Sequence, residues 1–186
     1  MADLYGERVA LRPLTAEHAE ALRAIRLRPE VADRWGPPEE DFPLSDEPTA
    51  ERFTIFVDDR VAGMVQVTEE NEPDYRHAEL DVFLGPDHHG RGLGTDAMKT
   101  LARHLIEDRG HHRLILGAAV DNAIAIRCYE KAGFRRVGVT RLSGRDFRTG
   151  EFADELFMEL VVEPGAAEVP QPPAVSKRAH QDRQGV

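Results

Sequence analysis

A glycine-rich stretch near the middle of the chain has the composition of an anion-binding loop. It covers residues 88–95 and reads HHGRGLGT. The alternating run before it, 78–84, predicts a strand, and the apolar spacing after it predicts a helix. Glycines let a backbone approach an anion closely, and the free N–H groups and dipole of a first helical turn attract negative charge. Because Arg91 adds a full positive charge, the stretch predicts a phosphate-binding loop.

The spacing of this loop excludes two familiar kinds of nucleotide site. No Gly-Lys-Ser/Thr follows, so it is not a P-loop. Gly90 and Gly92 begin a dinucleotide fingerprint, but Thr95 occupies the sixth position and no acid follows at the expected distance. Taken alone, the loop is also compatible with an ordinary tight turn.

A second motif lies downstream, over residues 121–134, with the sequence DNAIAIRCYEKAGF. It predicts a helix capped by Asp121 or Asn122 and ended by Gly133. Together the two motifs resemble the GNAT family of acyl-CoA-dependent N-acetyltransferases over about residues 9–162. His89 stands where that family usually has Gln or Arg. Within the family, the run AIRCYEKAGF is most similar to aminoglycoside 6'-N-acetyltransferases.

The resemblance implies a fold and a co-substrate. The expected fold is α/β of the α+β type, the GNAT fold, with a mixed and mostly antiparallel sheet flanked by helices. The expected co-substrate is acetyl-CoA, and no metal is expected. The residues expected to contact it are the end of the strand, the loop and the cap of the second helix: Phe83, Leu84, His89, Gly90, Arg91, Gly92, Leu93, Gly94, Thr95 and Asn122.

The resemblance also implies the residues that transfer protons. Asp81 aligns with an acid of the aminoglycoside enzymes and is the first candidate for the base that deprotonates the amine. Glu79 is its rival on the same strand face, and both acids could instead be solvated or simply attract a cation. Tyr129 matches the family tyrosine that protonates the departing thiolate. A tyrosine that only packs in the core is the alternative.

The acceptor is expected to lie beside an acidic, proline-rich loop over residues 36–49. Its candidate contacts are Trp35, Glu39, Glu40 and Asp41, with a purely packing role for the tryptophan as the alternative. Two departures weaken the aminoglycoside assignment. The strand before the second helix has Gly117-Ala118 where an Asp is expected, and a doubled Trp is reduced to Arg34-Trp35.

Composition narrows the class of protein. The chain has 186 residues, with 24 Lys and Arg against 34 Asp and Glu, which argues against a nucleic-acid partner and favours a cationic substrate or simple solubility. The single Cys128 excludes an internal disulfide. Four histidines in two adjacent pairs, 88–89 and 111–112, lack metal-ligand spacing. With neither a membrane span nor a leader expected, the cytoplasm is the predicted location, and the chain is expected to be a monomer or a homodimer.

The order of elements supports one domain over residues 1–162 and a disordered tail over 163–186. Strands are predicted over 8–14, 53–57, 61–68, 78–84, 113–119, 134–141 and 154–162, with a helix capped by Thr15 and a short one over 30–35. Residues 142–150 are expected to form a polar loop. The predicted function is N-acetylation of a primary amine of an aminoglycoside or related amino sugar. The alternatives are a protein N-terminal or polyamine acetyltransferase, and a non-catalytic acyl-CoA-binding regulatory module.

Overall fold

One mixed sheet of eight strands organises the molecule. The computed structural model describes residues 2–44 and 50–163. The spatial order of the strands is β1-β2-β3-β4-β5-β6-β8-β7, and every neighbouring pair is antiparallel except β5 and β6. The strands are β1 (Leu4–Tyr5), β2 (Ala10–Pro13), β3 (Ala50–Val57), β4 (Arg60–Glu70), β5 (His77–Leu84), β6 (Arg113–Ala119), β7 (Arg135–Arg145) and β8 (Phe152–Val161).

Four α-helices cover the two faces of this sheet. They are α1 (Ala19–Arg26), α2 (Pro29–Trp35), α3 (Leu93–Arg103) and α4 (Ala123–Ala132). A π-helical turn over His104–Asp108 continues α3, and Gly110 then reverses the chain with φ of 70°. Within the described residues, none of these helices is long and apolar enough to cross a membrane.

Two hydrophobic clusters show which helices cover which face. The larger one joins α3 and α4 to the sheet through fully buried side chains such as Met98 and Leu101. The smaller one joins α1 and α2 to the opposite face and includes Leu22 and Phe83. Residues of β5 alternate between the clusters, because successive side chains of a strand point to opposite faces. The predicted alternation of 78–84 and the predicted mixed, mostly antiparallel sheet flanked by helices are therefore confirmed.

Most predicted elements occur, and the differences lie at strand ends. The short strand β1 was not predicted, and β2 is shorter than the 8–14 expected. The hairpin of β3 and β4 turns at Asp58 and Asp59, both with positive φ. Strand β7 continues to Arg145, so the polar loop is confined to residues 146–151. Its register shifts between Thr140 and Gly144, which allows the polar segment to remain paired with β8.

Two segments predicted to be irregular extend beyond the described part of the chain. Residues 45–49 of the acidic loop and residues 164–186 of the predicted tail lie outside the described residues. The domain boundary at residue 162 therefore stays a prediction.

Candidate active site

A cleft opens in the middle of the sheet because β5 and β6 diverge. These parallel strands pair only at Ala78 with Leu114 and at Glu79 with Ile115. Beyond Glu79 they part, while β4 and β5 stay in continuous register. The resulting cleft has a volume of about 1510 Å³. The edge of β5 is therefore exposed because β5 and β6 separate, and not because of a bulge between β4 and β5.

The exposed edge of β5 offers backbone groups to a ligand. The N–H of Val82 is turned to the Asp81 carboxylate, 2.9 Å away, and the Leu84 carbonyl accepts a hydrogen bond from His89 Nε2 at 2.9 Å. Backbone groups of alternate residues in an antiparallel strand face the same side. The N–H of Leu84 therefore lies on the open edge, where a thioester carbonyl or an amide of a ligand can accept its hydrogen bond.

The glycine loop forms the floor of the cleft at the N-terminus of α3. Gly90 and Gly92 have φ of 70° and 79°, and nothing lies within 4 Å of the position that a Cβ would take at either one. Gly92 is the N-cap of α3, so the N–H groups of the first turn have no partner within the helix. Positive φ, open space and unpaired donors coincide here, which suits an anionic group such as a pyrophosphate.

Nearly all of the residues expected to contact acetyl-CoA line this cleft. They are Phe83, Leu84, His89, Gly90, Gly92, Leu93, Gly94, Thr95 and Asn122. Arg91 lies in the loop without lining the cleft, and its carbonyl accepts a hydrogen bond from Arg8 Nη1 at 2.6 Å. Arg127 and Lys131 of α4 also line the cleft and add positive charge.

The unusual His89 has a defined structural position. Its Nε2 bonds the Leu84 carbonyl, which ties the glycine loop to the end of β5. Asn122 Oδ1 accepts a hydrogen bond from the N–H of Ala125 at 3.2 Å and so caps α4. Asn122 was one of the two residues, with Asp121, predicted for this cap. Over residues 2–44 and 50–163 no group of three or more His, Cys, Asp or Glu side chains could hold a metal ion.

Asp81 is the most perturbed acid of the cleft. The pKa of its carboxyl is raised from 3.8 to about 7, first by burial and then by the charges of Glu79 and Glu155. The N–H of Val82 and the charge of Arg26 oppose this rise. At neutral pH a carboxyl with this pKa exchanges its proton readily, which is the property that a general base requires.

Tyr129 lies near this acid with its side chain almost wholly buried, at 5% exposure. Burial raises its pKa well above 10, and the charge that Asp81 carries when ionised adds to the effect. Its hydroxyl therefore remains protonated at neutral pH and can donate a proton. The ring also packs on Phe134, with the centroids 6.4 Å apart, so the packing role and the donor role coexist.

Glu155 of β8 is a third acid of the cleft, and it was not predicted from the sequence. Its carboxyl lies about 3.7 Å from the position that a Cβ would take at Gly117, and 2.6 Å from the corresponding position at Gly144. Ser143 Oγ donates a hydrogen bond to it at 3.0 Å. An acid from the neighbouring strand thus lies over the Gly117-Ala118 position where the sequence lacks the expected Asp. Alternation along β8, with Leu156 and Met158 buried, was the available signal.

The residues expected to contact the acceptor divide into two groups. Trp35, Glu39 and Asp41 line the cleft, whereas Glu40 does not. Trp35 packs edge-on against Phe83, with the ring centroids 4.9 Å apart. Arg26 pairs with Glu39 at 3.2 Å and so neutralises it. Of the three predicted acids, Asp41 both lines the cleft and can face a cationic ligand. Trp35 forms part of the wall of the cleft.

An ionic bridge that was not predicted crosses the mouth of the cleft. Asp121 accepts hydrogen bonds from Arg34 Nη1 at 2.6 Å and from Arg148 Nη2 at 2.8 Å. These two bonds, the Arg34 bond first, lower the pKa of Asp121. Phe147, beside Arg148, packs against Gly36, where its ring leaves no room for a side chain. The β7–β8 loop is thereby fixed to the end of α2.

Comparison with known proteins agrees with this geometry. The family model described as the acetyltransferase (GNAT) family matches residues 17–134. The spermidine N(1)-acetyltransferase of Escherichia coli K12 is 28% identical over 159 residues, which cover 81% of this chain and 84% of that protein.

Two solved structures show the same fold. The spermidine N-acetyltransferase of Vibrio cholerae, solved with CoA and spermine, superposes with a TM-score of 0.72 at 21% identity, covering 83% of this chain and 95% of that one. The aminoglycoside acetyltransferase AAC(6')-Ib, solved with paromomycin and acetyl-CoA, gives 0.69 at 23% identity, covering 83% and 94%. With the family model spanning more than half of its residues, the chain belongs to the GNAT family and is an N-acetyltransferase.

Proposed function

We propose that this enzyme transfers the acetyl group of acetyl-CoA to a primary amine of a small acceptor that carries more than one amine. The observation that supports the proposal is the meeting of three carboxyl groups in the cleft beside Tyr129. Glu79 and Glu155 both act on the pKa of Asp81, so the three acids lie within electrostatic reach of one another. Such a site favours a ligand with several positive charges.

The proposed reaction uses Asp81 and Tyr129 in sequence. The ammonium group of the acceptor loses a proton to the Asp81 carboxylate, directly or through a water molecule. The free amine attacks the thioester carbon, the carbon–sulfur bond breaks, and the thiolate takes the proton of the Tyr129 hydroxyl. The attacking nitrogen then loses its second proton to the Tyr129 phenolate, directly or through water, and Asp81 releases its proton to solvent. The products are the N-acetyl amine and CoA. In this reaction the N–H of Leu84 donates a hydrogen bond to the thioester oxygen and stabilises the charge that develops on it during attack.

Two acceptor classes satisfy this description. Linear polyamines are favoured by the similarity to the E. coli spermidine enzyme, which extends over most of both chains. Aminoglycosides are favoured by the resemblance of the α4 motif, 125–134. A protein N-terminus presents one amine and would leave two of the three acids without a partner.

The deciding experiment measures release of free thiol from acetyl-CoA with a panel of amines, with the products identified by mass spectrometry. Spermidine, putrescine, an aminoglycoside, butylamine and a peptide N-terminus represent the classes. We expect one of the polycationic acceptors to give the highest kcat/KM and putrescine to exceed butylamine by at least about tenfold, or about 1.4 kcal/mol. Equal rates with putrescine and butylamine would contradict the polycation proposal. No thiol release with any amine would favour the non-catalytic module.

A variant pair tests the contribution of the acid on β8. Glu155→Gln removes a cleft carboxylate, whereas Glu159→Gln alters the same strand at a residue that pairs with Arg113 at 3.1 Å. We expect the first variant to raise KM for the polycation and to leave KM for butylamine unchanged. The second should affect neither acceptor. A uniform effect on both acceptors would assign Glu155 a structural role.

A further inference from the structure

The chain segment before β2 is clasped onto helix α3 by a single carboxylate. Asp96 accepts the backbone N–H groups of Glu7, Arg8 and Val9 at 3.0, 2.7 and 3.1 Å. Gly6 lies so close to Asp96 and Thr100 that a Cβ there would approach their oxygens within 2.6–2.8 Å. The segment therefore has one defined position against the first turn of α3.

This clasp carries the Arg8 side chain to the glycine loop. Arg8 Nη1 donates to the carbonyl of Arg91 at 2.6 Å, a short bond from a charged donor. Neither Arg8 nor Arg91 lines the cleft, whereas Gly92 does. Arg8 thus binds the carbonyl of the Arg91–Gly92 peptide from outside the cleft. Gly92, which carries the N–H of the same peptide, lines the cleft.

Peptide geometry connects the two ends of that unit. In a planar trans peptide the C=O and the following N–H point in opposite directions. Fixing the Arg91 carbonyl toward Arg8 therefore fixes the Gly92 N–H toward the cleft side. That N–H makes no hydrogen bond to any described residue. Gly92 bounds this peptide on one side, and because a glycine adopts positive and negative φ about equally readily, it imposes little preference on the orientation of the peptide.

We propose that Arg8 is a positioning residue that orients the Arg91–Gly92 peptide so that the Gly92 N–H meets the pyrophosphate of acetyl-CoA. The inference rests on the proposed function, because it takes the glycine loop as the seat of the co-substrate. Preorganising the peptide removes the cost of selecting its orientation during binding, so the effect appears in the affinity for acetyl-CoA and not in the chemical step.

The same hydrogen bonds also reduce the electrostatic repulsion between the Asp96 carboxylate and the pyrophosphate. Its carboxylate lies in the first turn of α3, close to the loop that would receive the pyrophosphate. Three backbone N–H groups direct it toward the amino-terminal segment. The same contact that seats Arg8 therefore turns a negative charge away from the cleft.

A pair of arginine variants tests the proposal. Arg8→Met removes the bond to the loop, while Arg103→Met removes a bond from Nη2 to the Tyr5 carbonyl at 2.9 Å on the same segment. Both variants lose one exposed positive charge. We expect Arg8→Met to raise KM and Kd for acetyl-CoA about tenfold, with kcat at saturation and KM for the amine unchanged. Arg103→Met should stay within about twofold of the parent for all four quantities.

A truncated co-substrate separates orientation of the loop from general loosening. S-acetylpantetheine lacks the pyrophosphate, so Arg8→Met and the parent should use it with the same KM. An unchanged acetyl-CoA affinity in Arg8→Met, or an equal rise of KM for both co-substrates, would overturn the proposal.

A third variant locates the source of any failure. Gly92→Val should weaken acetyl-CoA binding if the loop is the seat, whatever Arg8 does. Weakened binding in Gly92→Val beside unchanged binding in Arg8→Met would refute only the role of Arg8. Unchanged binding in both would refute the glycine loop as the seat of acetyl-CoA.

Discussion

Replacing Asp81 by Asn should stabilise the fold while it impairs the reaction. The pKa of this carboxyl is raised from 3.8 to about 7, first by burial. At about 1.4 kcal/mol per unit, this rise means that ionising Asp81 costs the fold up to about 4 kcal/mol. The folded state holds the proton more tightly than the unfolded state does. The stability that protonated Asp81 contributes to the fold is therefore fully present below the unfolded pKa near 3.8. It is lost as the pH rises to about 7.

The asparagine variant carries no charge and should escape this loss. Its amide oxygen can still accept the N–H of Val82, which now bonds Asp81 at 2.9 Å. We expect Asp81→Asn to exceed the parent in free energy of unfolding by about 1–4 kcal/mol at pH 8 and to match it near pH 4. Since water can enter the open cleft, the upper figure is a limit. Thermal unfolding monitored at several pH values measures the difference, at about 2–4 °C per kcal/mol.

The matched control is Glu79→Gln, which changes an exposed acid of the same strand and should shift stability by less than about 0.5 kcal/mol. It should lower the pKa of Asp81, since the charge of Glu79 raises it. A difference between Asp81→Asn and the parent that does not vary with pH would refute the reasoning, as would a less stable variant at pH 8.

Activity of the same variants then tests the role of Asp81 as base. The kcat/KM of the parent should fall as the pH drops below about 7, because Asp81 becomes protonated. In Asp81→Asn it should be low at neutral pH and recover as the pH approaches the pKa of the acceptor amine. A role in attracting the cation predicts a raised KM with kcat little changed. If Asp81→Asn is fully active at every pH, the base lies elsewhere or is water.

Three further predictions address the proton donor, the glycine loop and the ion-paired Glu69 of β4. Tyr129→Phe should lower kcat by at least about 100-fold while calorimetry shows intact acetyl-CoA binding, and a loss below about threefold would favour a packing role. Gly92→Val places a side chain at φ of 79° and should weaken acetyl-CoA binding at least about tenfold. Glu69, despite its burial, has a lowered pKa because His111 and Arg109 bond it. Glu69→Gln should cost about 2 kcal/mol at pH 7, measured by urea unfolding. This difference should begin to shrink as the pH falls below about 4.5 and should be lost as the pH falls through the lowered pKa of Glu69 in the folded state.

Local patterns predicted much of the fold. Alternation over 78–84 gave both faces of β5, and the Asn122 cap with Gly133 gave both ends of α4. These features depend on near neighbours in the chain. The short β1 and the continuation of β7 to Arg145 depend on pairing with distant strands, which no local pattern encodes.

The site shows the same limit in its chemistry. The glycine loop was predictable because its donors come from one continuous segment. Glu155 reaches the cleft only because Gly117 and Gly144, on two neighbouring strands, leave space for its carboxyl. The bridge from Asp121 to Arg34 and Arg148 joins three segments in the same way. Neither arrangement could be predicted before strand register was known.

The divergence of β5 and β6 has a consequence for the dynamics of the whole sheet. Strands β1–β5 and strands β6–β8 are joined along the sheet by only two residue pairs, at Ala78 and Glu79. The N–H of Leu84, which faces the gap, consequently has no strand partner, and its hydrogen should exchange more quickly with deuterated solvent than the β5 amides that pair with β4. A bound acetyl-CoA that spans the gap would slow this exchange on β5 and the glycine loop. The amides shared by β3 and β4, far from the gap, should exchange at the same rate in both states.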